Sequence, residues 1–184
     1  MNIEKLCPAG YYCPGGVAGE KIVCPVGSFC LAGVSEPTDC AAGTWSFLTR
    51  RETACDTIIA GYYHDTVAKA AVICPAGHWC EAGQTAGTTR PCPKGKFNRY
   101  TGAKTSDYCR PCPIGYKCEN LGSEEPSLCP PGHYCPASSV MGIQCPAGTF
   151  SNSRGLRMDS ECQSCWAGSY CQTAGLTQPS EQCN

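Results

Sequence analysis

Apolar residues in this chain stand singly or in pairs, so neither a helical period nor a long strand alternation develops. Proline, glycine and cysteine recur every few residues and interrupt any longer run. Short runs such as KIVC (21–24) and GTFSNS (148–153) suit two-residue strands and small hairpins. The pattern predicts irregular β structure with almost no helix. HDTVAKAAVIC (64–74) is the most helix-like stretch and predicts one or two helical turns, with a loop as the alternative.

One short motif dominates the chain and fixes its organisation. The unit C-P-x-G-x-aromatic recurs ten times with tolerated losses, and its glycines lie 16 to 20 residues apart. Because proline presets φ for a turn and glycine supplies positive φ, each unit is predicted to begin with a tight turn. The motif glycines are Gly10, Gly27, Gly43, Gly61, Gly77, Gly95, Gly115, Gly132, Gly148 and Gly168.

An aromatic side chain follows nearly every motif glycine by two positions. We expect its ring to cover the nearby sulfurs and form a miniature core. Only Lys117 breaks the series, and Tyr116 stands beside it. The aromatic residues are Tyr12, Phe29, Trp45, Tyr63, Trp79, Phe97, Tyr134, Phe150 and Tyr170.

Cysteine spacing adds a longer period of 52 to 53 residues. Cys40, Cys92 and Cys145 each open a segment of 14 to 16 residues that ends at another cysteine. Repeats that contact only their neighbours form a quasi-one-dimensional array, so we expect an elongated rod. The predicted divisions are a partial repeat over 1–39, a repeat lacking one disulfide over 40–91, a complete repeat over 92–144 and a truncated repeat over 145–184.

Two cysteines are missing together from one unit. In DTIIAGYYHDT (56–66), Ile58 and His64 stand where other units have a C-x5-C pair. Two cysteines bonded to each other can be lost together, whereas the loss of one partner from each of two bonds would leave two unpaired thiols. Joint loss therefore favours local C-x5-C disulfides.

The local scheme uses eighteen of the nineteen cysteines, although sequence alone leaves the connectivity open. Cys183 remains, and the repeat places its partner after Asn184, so we expect the chain to be a fragment. The short loops join Cys7 to Cys13, Cys24 to Cys30, Cys74 to Cys80, Cys112 to Cys118, Cys129 to Cys135 and Cys165 to Cys171. The long loops join Cys40 to Cys55, Cys92 to Cys109 and Cys145 to Cys162.

Composition places the chain among disulfide scaffolds. Leu, Ile, Val and Phe total 25 of 184 residues, below the roughly 20% that an ordinary apolar core needs, while cysteine reaches 19. Such cysteine density is typical of oxidising compartments, so we expect a secreted or cell-surface protein. We expect neither a signal peptide nor a membrane span within these residues. The net charge of -1 disfavours nucleic acid and anionic lipid as partners.

Two segments resemble a known extracellular module. CPKGKFNRYTGAKTSDYCRPCPIGYKC (92–118) and CPAGTFSNSRGLRMDSECQSCWAGSYC (145–171) resemble the ephrin-receptor-like cysteine-rich repeat, and the likeness covers essentially the whole chain. That family is also similar to growth-factor-receptor and tumour necrosis factor receptor modules. The resemblance implies an architectural or adhesive role in a large extracellular protein, as in the long arrays of ciliates and other protists.

The chain departs from the family pattern at a few positions. Besides Ile58 and His64, Ala41 and Trp166 fill the proline slot and Lys117 fills the aromatic slot. Tumour necrosis factor receptor modules imply a rival disulfide pairing, which would leave Cys74 and Cys80 unpaired in the unit that lacks two cysteines. The rival pairing joins Cys112 to Cys129 and Cys118 to Cys135.

The residues that could carry chemistry favour structural roles. Cys109 with Cys112, and Cys162 with Cys165, have the C-x2-C spacing of zinc knuckles and redox centres. The two pairs are about fifty residues apart, against about 15 to 20 in zinc ribbons, so structural disulfides are favoured. We therefore expect no metal, no cofactor and no enzyme activity, and the one cysteine predicted to lack a partner is Cys183.

Histidines and a basic run are the remaining candidates. His78 and His133 fill the same slot of two units, and we expect them to be exposed; His64 has no ligand cluster near it in sequence. KGKFNRYTGAK (94–104) interleaves cations with aromatic rings and could bind an anionic glycan, although a solvated loop is favoured. The chain has no N-glycosylation sequon, and QTAGTTR (84–90) offers sites for O-linked glycans.

Two functions of different class fit the sequence. In the first, the chain is a non-catalytic structural rod that self-associates, or binds other extracellular proteins, in a fibre, surface hair or matrix. In the second, it is the stalk of a receptor or adhesin that binds a protein or glycan, with the irregular residues 46–73 as the site. Ten regular units without a distinctive insert favour the first.

Overall fold

The computed structural model describes residues 6–15 and 19–182, and it folds them into a series of short antiparallel hairpins. Eighteen strands pair as nine two-stranded sheets in this part of the chain. The helices among these residues are two short 3₁₀ turns, Ser106–Tyr108 and Asp159–Glu161. A disulfide-rich fold of small β-hairpins with almost no helix is confirmed.

The strands are numbered in chain order. The first nine are β1 (Tyr11–Tyr12), β2 (Ile22–Val23), β3 (Ser28–Phe29), β4 (Thr38–Asp39), β5 (Thr44–Trp45), β6 (Asp56–Thr57), β7 (Tyr62–Asp65), β8 (Ala70–Ile73) and β9 (Lys96–Phe97). The others are β10 (Arg110–Pro111), β11 (Tyr116–Lys117), β12 (Ser127–Leu128), β13 (His133–Tyr134), β14 (Ile143–Gln144), β15 (Thr149–Phe150), β16 (Gln163–Ser164), β17 (Ser169–Tyr170) and β18 (Glu181–Gln182).

Each hairpin occupies the same place in the repeat. Its first strand follows the motif glycine and contains the aromatic slot, and its second strand ends just before the next motif. In β13 and β14, for example, Tyr134 lies opposite Ile143. One unit has a single bridge at this place, between His78 and Pro91. The ladders stay short because proline, glycine and cysteine flank every run.

Residues 64–74 form strands, so the helical turns predicted there are wrong. β7 and β8 pair over four residues on each side. The Asp65 carboxylate accepts hydrogen bonds from the backbone N–H groups of Val67 and Ala68, each at 2.9 Å, and Lys69 adopts a φ of 48°. This turn returns the chain before a helix can form, and cross-strand pairing outweighs the helix propensity of the alanines.

Sulfur fills most of the buried interior. Of the 21 buried apolar residues described, 16 are cysteines. The aromatic side chains complete this core: Phe97 packs against Cys112 and Cys118, which belong to the following unit. Tyr134 likewise packs against Cys145 of the following unit. The ring therefore covers the sulfurs of the next motif, and the core is shared between successive units.

The contacts divide the chain into two compact parts, each larger than a single repeat. One comprises Met1–Pro75, Trp79–Thr89 and Thr101–Thr105. The other comprises Ala76–His78, Arg90–Tyr100 and Ser106–Asn184. Within the described residues, no helix has the length and apolar character that crossing a membrane requires.

Candidate functional site

Nine disulfides cross-link the described residues. The Cα atoms of the bonded pairs lie 5.5 to 6.3 Å apart. Cys112 bonds to Cys118 and Cys129 bonds to Cys135, so the rival pairing between these two loops is not formed. The other short loops join Cys7 to Cys13, Cys24 to Cys30, Cys74 to Cys80 and Cys165 to Cys171. The long loops join Cys40 to Cys55, Cys92 to Cys109 and Cys145 to Cys162. Cys183 lies outside the described residues.

The C-x2-C pairs do not form redox centres. Cys109 bonds back to Cys92, whereas Cys112 bonds forward to Cys118. The pair formed by residues 162 and 165 is divided in the same way. Each sulfur is thus already bonded, and the described part of the chain contains no group of three or more His, Cys, Asp or Glu side chains that could hold a metal ion.

Ile58 and His64 occupy the two positions at which other motifs have a bonded pair of cysteines. Both side chains are buried, at 1% and 5% exposure. His64 donates from Nδ1 to the carbonyl oxygen of Ala41 at 3.2 Å, and its ring meets the Trp45 ring edge-on at 5.3 Å. The Ile58 N–H still donates to the Gly43 carbonyl at 3.0 Å, the bond that cysteines make in the other units. This backbone hydrogen bond between successive motifs, called the backbone joint below, is therefore kept in the motif that lacks the disulfide.

Three motifs end in a small polar residue at the position where six other motifs have their second cysteine. These are the motifs whose first cysteine bonds forward into a long loop. Asn98 accepts a hydrogen bond from the Tyr100 N–H at 3.1 Å and donates to the Tyr100 carbonyl at 2.9 Å. Ser151 accepts from the Ser153 N–H at 3.2 Å. Ser46 does the same for the third motif, and all three side chains are buried. A local side-chain turn thus replaces the short disulfide.

Backbone hydrogen bonds join each motif to the next. The motif glycine uses both of its backbone groups: the Gly115 N–H donates to the Cys135 carbonyl at 2.8 Å, and the Gly115 carbonyl accepts from the Cys129 N–H at 3.0 Å. The joint relies on backbone atoms, so it tolerates varied loop sequences. The carbonyl of every motif glycine from Gly10 to Gly148 accepts such a bond from the first residue of the following motif.

A motif also contacts the loop that follows the motif after next. A Cβ added to Gly115 would lie 2.7 Å from the carbonyl oxygen of Gly155, and one added to Gly61 would lie 2.7 Å from that of Gly102. Gly155 itself has a φ of 78° and donates its N–H to the Cys129 carbonyl at 2.9 Å. The packing therefore extends over three successive motifs.

The irregular segment 46–73 carries the longest hairpin described. Val67 stands at its tip and is 94% exposed. At its base, the half-exposed Phe47 ring meets the Tyr62 ring edge-on at 5.6 Å. Lys69 forms an ion pair with Asp39 beside a cleft of about 280 Å³ that His64 also lines. Through this hydrogen bond, Lys69 lowers the pKa of the Asp39 carboxyl below its ordinary value.

The two equivalent histidines face their own turns. His78 donates from Nδ1 to the carbonyl oxygen of Ala76, and His133 does so to that of Pro131, each at 3.0 Å. Both side chains are half-buried. The expectation that they are exposed is therefore wrong, because the ring folds back onto the carbonyl two residues earlier.

The fold defines a disulfide-rich tandem-repeat protein, and its density of disulfides indicates an oxidising, extracellular environment. A scan against models of protein families and a search of curated proteins give no match for the chain.

Proposed function

We propose that the protein is a non-catalytic structural component outside the cell, a disulfide-stapled repeat array that assembles into a fibre, surface hair or matrix. One observation carries the proposal. The same backbone joint recurs at each motif glycine from Gly10 to Gly148, including the motif that has lost its disulfide. A joint that propagates unchanged along the chain suits an architectural element.

The disulfides support the same role. On the chain-entropy account, each short loop adds about 2 kcal/mol and each long loop about 3 kcal/mol to stability. The bonded sulfurs also form most of the core, so the fold depends little on a large apolar interior. An array of this kind keeps its local structure where chaperones and reductants are absent.

The resemblance to ephrin-receptor-like repeats adds to this proposal. Arrays of that family belong to large cell-surface and extracellular proteins. A repeating surface that contacts a second copy head to tail, without closing a ring, gives an open polymer. Self-association is therefore the interaction that we propose first.

A second candidate is a receptor or adhesin stalk, and one observation favours it. The β7–β8 hairpin departs from the two-residue ladders around it and presents Val67, which is 94% exposed, at its tip. Exposed apolar residues on a rigid hairpin are common in interaction sites. In this case the array would hold the hairpin away from the cell surface.

Sedimentation velocity separates the two candidates. Non-reduced protein should form larger species as its concentration rises, and reduced, alkylated protein should not. A variant with Val67→Ser should associate as the wild type does if assembly uses the regular units. A single species at every concentration would contradict the structural role and direct attention to the hairpin.

A further inference from the structure

The basic run of residues 94–104 forms one side of a cleft that also includes a later segment. Pairing of β9 with β10 places Arg110 opposite Phe97. The cleft has a volume of about 250 Å³. Its lining residues are Phe97, Asn98, Arg99, Tyr100, Tyr108 and Arg110.

Two tyrosine rings that line the cleft are exposed to solvent. Tyr100 is 58% exposed and Tyr108 is 45% exposed. The buried Asn98 holds both the N–H and the carbonyl of Tyr100, and it donates a further hydrogen bond to the His78 carbonyl at 3.3 Å. Tyr108 ends the 3₁₀ turn and directly precedes Cys109, which is bonded to residue 92. These bonds therefore fix the backbone that carries the two rings.

Two guanidinium groups supply positive charge beside these rings. Arg99 lies over the Phe97 ring, 5.6 Å from its centroid, and donates to the Glu125 carboxylate at 3.0 Å. Glu125 thus offsets part of the Arg99 charge. Arg110 is exposed on β10 and forms no salt bridge among the described residues. Arg110 is therefore the cation best placed to meet an incoming anion.

The equivalent hairpin of the next long repeat shows that these side chains are not needed for the fold. β15 and β16 pair in the same way, a 3₁₀ turn spans Asp159–Glu161, and residue 145 bonds to residue 162. This copy has neither aromatic rings nor cations at the four corresponding positions. Its residues there are Asn152, Ser153, Glu161 and Gln163.

We infer that the cleft of residues 97–110 binds an anionic saccharide, a sugar chain that carries sulfate or carboxylate groups. An exposed tyrosine ring can cover the apolar face of a sugar, while its hydroxyl remains available for hydrogen bonds. A guanidinium group binds a sulfate or carboxylate through two parallel hydrogen bonds. The combination of two rings and an unpaired guanidinium suits a charged sugar better than a simple inorganic ion.

Calorimetric titration of the oxidised chain tests the inference. The probes are a sulfated heparin tetrasaccharide, a tetragalacturonate, the neutral maltotetraose and a tetraglutamate peptide. We expect one anionic saccharide to bind with one site per chain and maltotetraose to bind at least about tenfold more weakly. The sulfated and carboxylated arms identify which anion is preferred.

Variants copied from the next repeat assign the site. Arg110→Gln and Tyr100→Ser should each weaken binding about tenfold or more, while Ser153→Ala should leave it unchanged. The triple change Ser153→Tyr, Glu161→Tyr and Gln163→Arg should create a second site of similar affinity. Non-reducing mass spectrometry checks that all variants keep their disulfides.

Three results would overturn the inference. One is equal affinity of the wild type and Arg110→Gln for both anionic saccharides. Another is binding to the tetraglutamate peptide alone, and the third is no binding to either anionic saccharide. Sedimentation and saccharide binding are separate measurements. Absence of saccharide binding would therefore leave the proposed assembly unaffected. Absence of assembly would likewise leave the saccharide inference to be tested by titration.

Discussion

Gly115 lies directly against the backbone carbonyl of Gly155, forty residues later in the chain, and a Cβ on Gly115 would come within 2.7 Å of that oxygen. Gly148 has nearly the same φ, 88° against 83°, but a Cβ there would meet nothing within 4 Å. Substitutions at the two glycines can therefore separate the free-energy cost of a positive φ from the free-energy cost of a steric clash with the Gly155 carbonyl.

Replacing these glycines with alanine should therefore give different losses. Gly148→Ala should lower the free energy of unfolding by about 1 kcal/mol, because only the left-handed conformation is penalised. Gly115→Ala should lower it by about 3 kcal/mol, since the methyl group also displaces the Gly155 loop. Guanidinium chloride unfolding without reductant measures both. Equal losses would mean that the contact between the two glycines does not constrain the fold.

A tenth disulfide should form where the repeat has lost one. In the double variant Ile58→Cys/His64→Cys, the two thiols should bond, because the backbone joint at Ile58 matches that of the cysteine-containing motifs. The bond should raise the free energy of unfolding by about 2 kcal/mol over the single variant Ile58→Cys. Mass spectrometry after alkylation detects the bond. Two alkylated cysteines at these positions would contradict the equivalence of this motif to the others.

Asn98 should be replaceable by serine but not by alanine. Asn98→Ala removes the groups that satisfy the Tyr100 backbone and leaves a buried gap, at a cost of about 2 kcal/mol. Asn98→Ser should cost less than about 1 kcal/mol, because the equivalent Ser151 accepts the same bond from its own loop. Thermal unfolding of the two variants measures the difference. Identical midpoints would show that the side-chain turn does not replace the missing disulfide.

The ion pair between Asp39 and Lys69 should contribute to stability at intermediate pH and lose that contribution in strong acid and in strong base. The hydrogen bond from Lys69 lowers the pKa of the Asp39 carboxyl and raises the pKa of the Lys69 amine. The Asp39 contribution to stability is present above the ordinary carboxyl pKa of 3.8 and is lost as pH falls through the lowered value. The Lys69 contribution is present below the ordinary pKa of 10.5 and is lost as pH rises through the raised value.

NMR titration of the Asp39 carboxyl tests this pair. Lys69→Met should raise the Asp39 pKa toward its ordinary value, whereas Lys21→Met should leave it unchanged. Stability near neutral pH should change little, because both side chains are exposed to solvent. An Asp39 titration that is the same in both variants would remove Lys69 as the cause.

The sequence motif predicted the hairpins well, because residues close in sequence determine where each strand begins and ends. Proline, glycine and cysteine fix where each strand begins and ends. The helical turns predicted for residues 64–74 failed because the Asp65 turn and the pairing of β7 with β8 outweigh local propensity. The elongated rod and the four repeat boundaries stay predictions.

Contacts distant in sequence were harder to foresee. The close approach of Gly155 to Gly115 depends on packing two motifs away. A signal did exist for Asn98 and its two equivalents: each is a small polar residue in the slot where six other motifs have their second cysteine. For the proposed saccharide site, the basic run supplied Arg99 and Tyr100, but Tyr108 and Arg110 join them only after β9 pairs with β10.

Electron microscopy of the native, non-reduced protein tests the central proposal most directly. The proposal predicts ordered fibres whose axial repeat is commensurate with the 52 to 53-residue period, and it predicts their loss when the same sample is reduced. Separate particles that never associate at any concentration would contradict assembly as the function of this array.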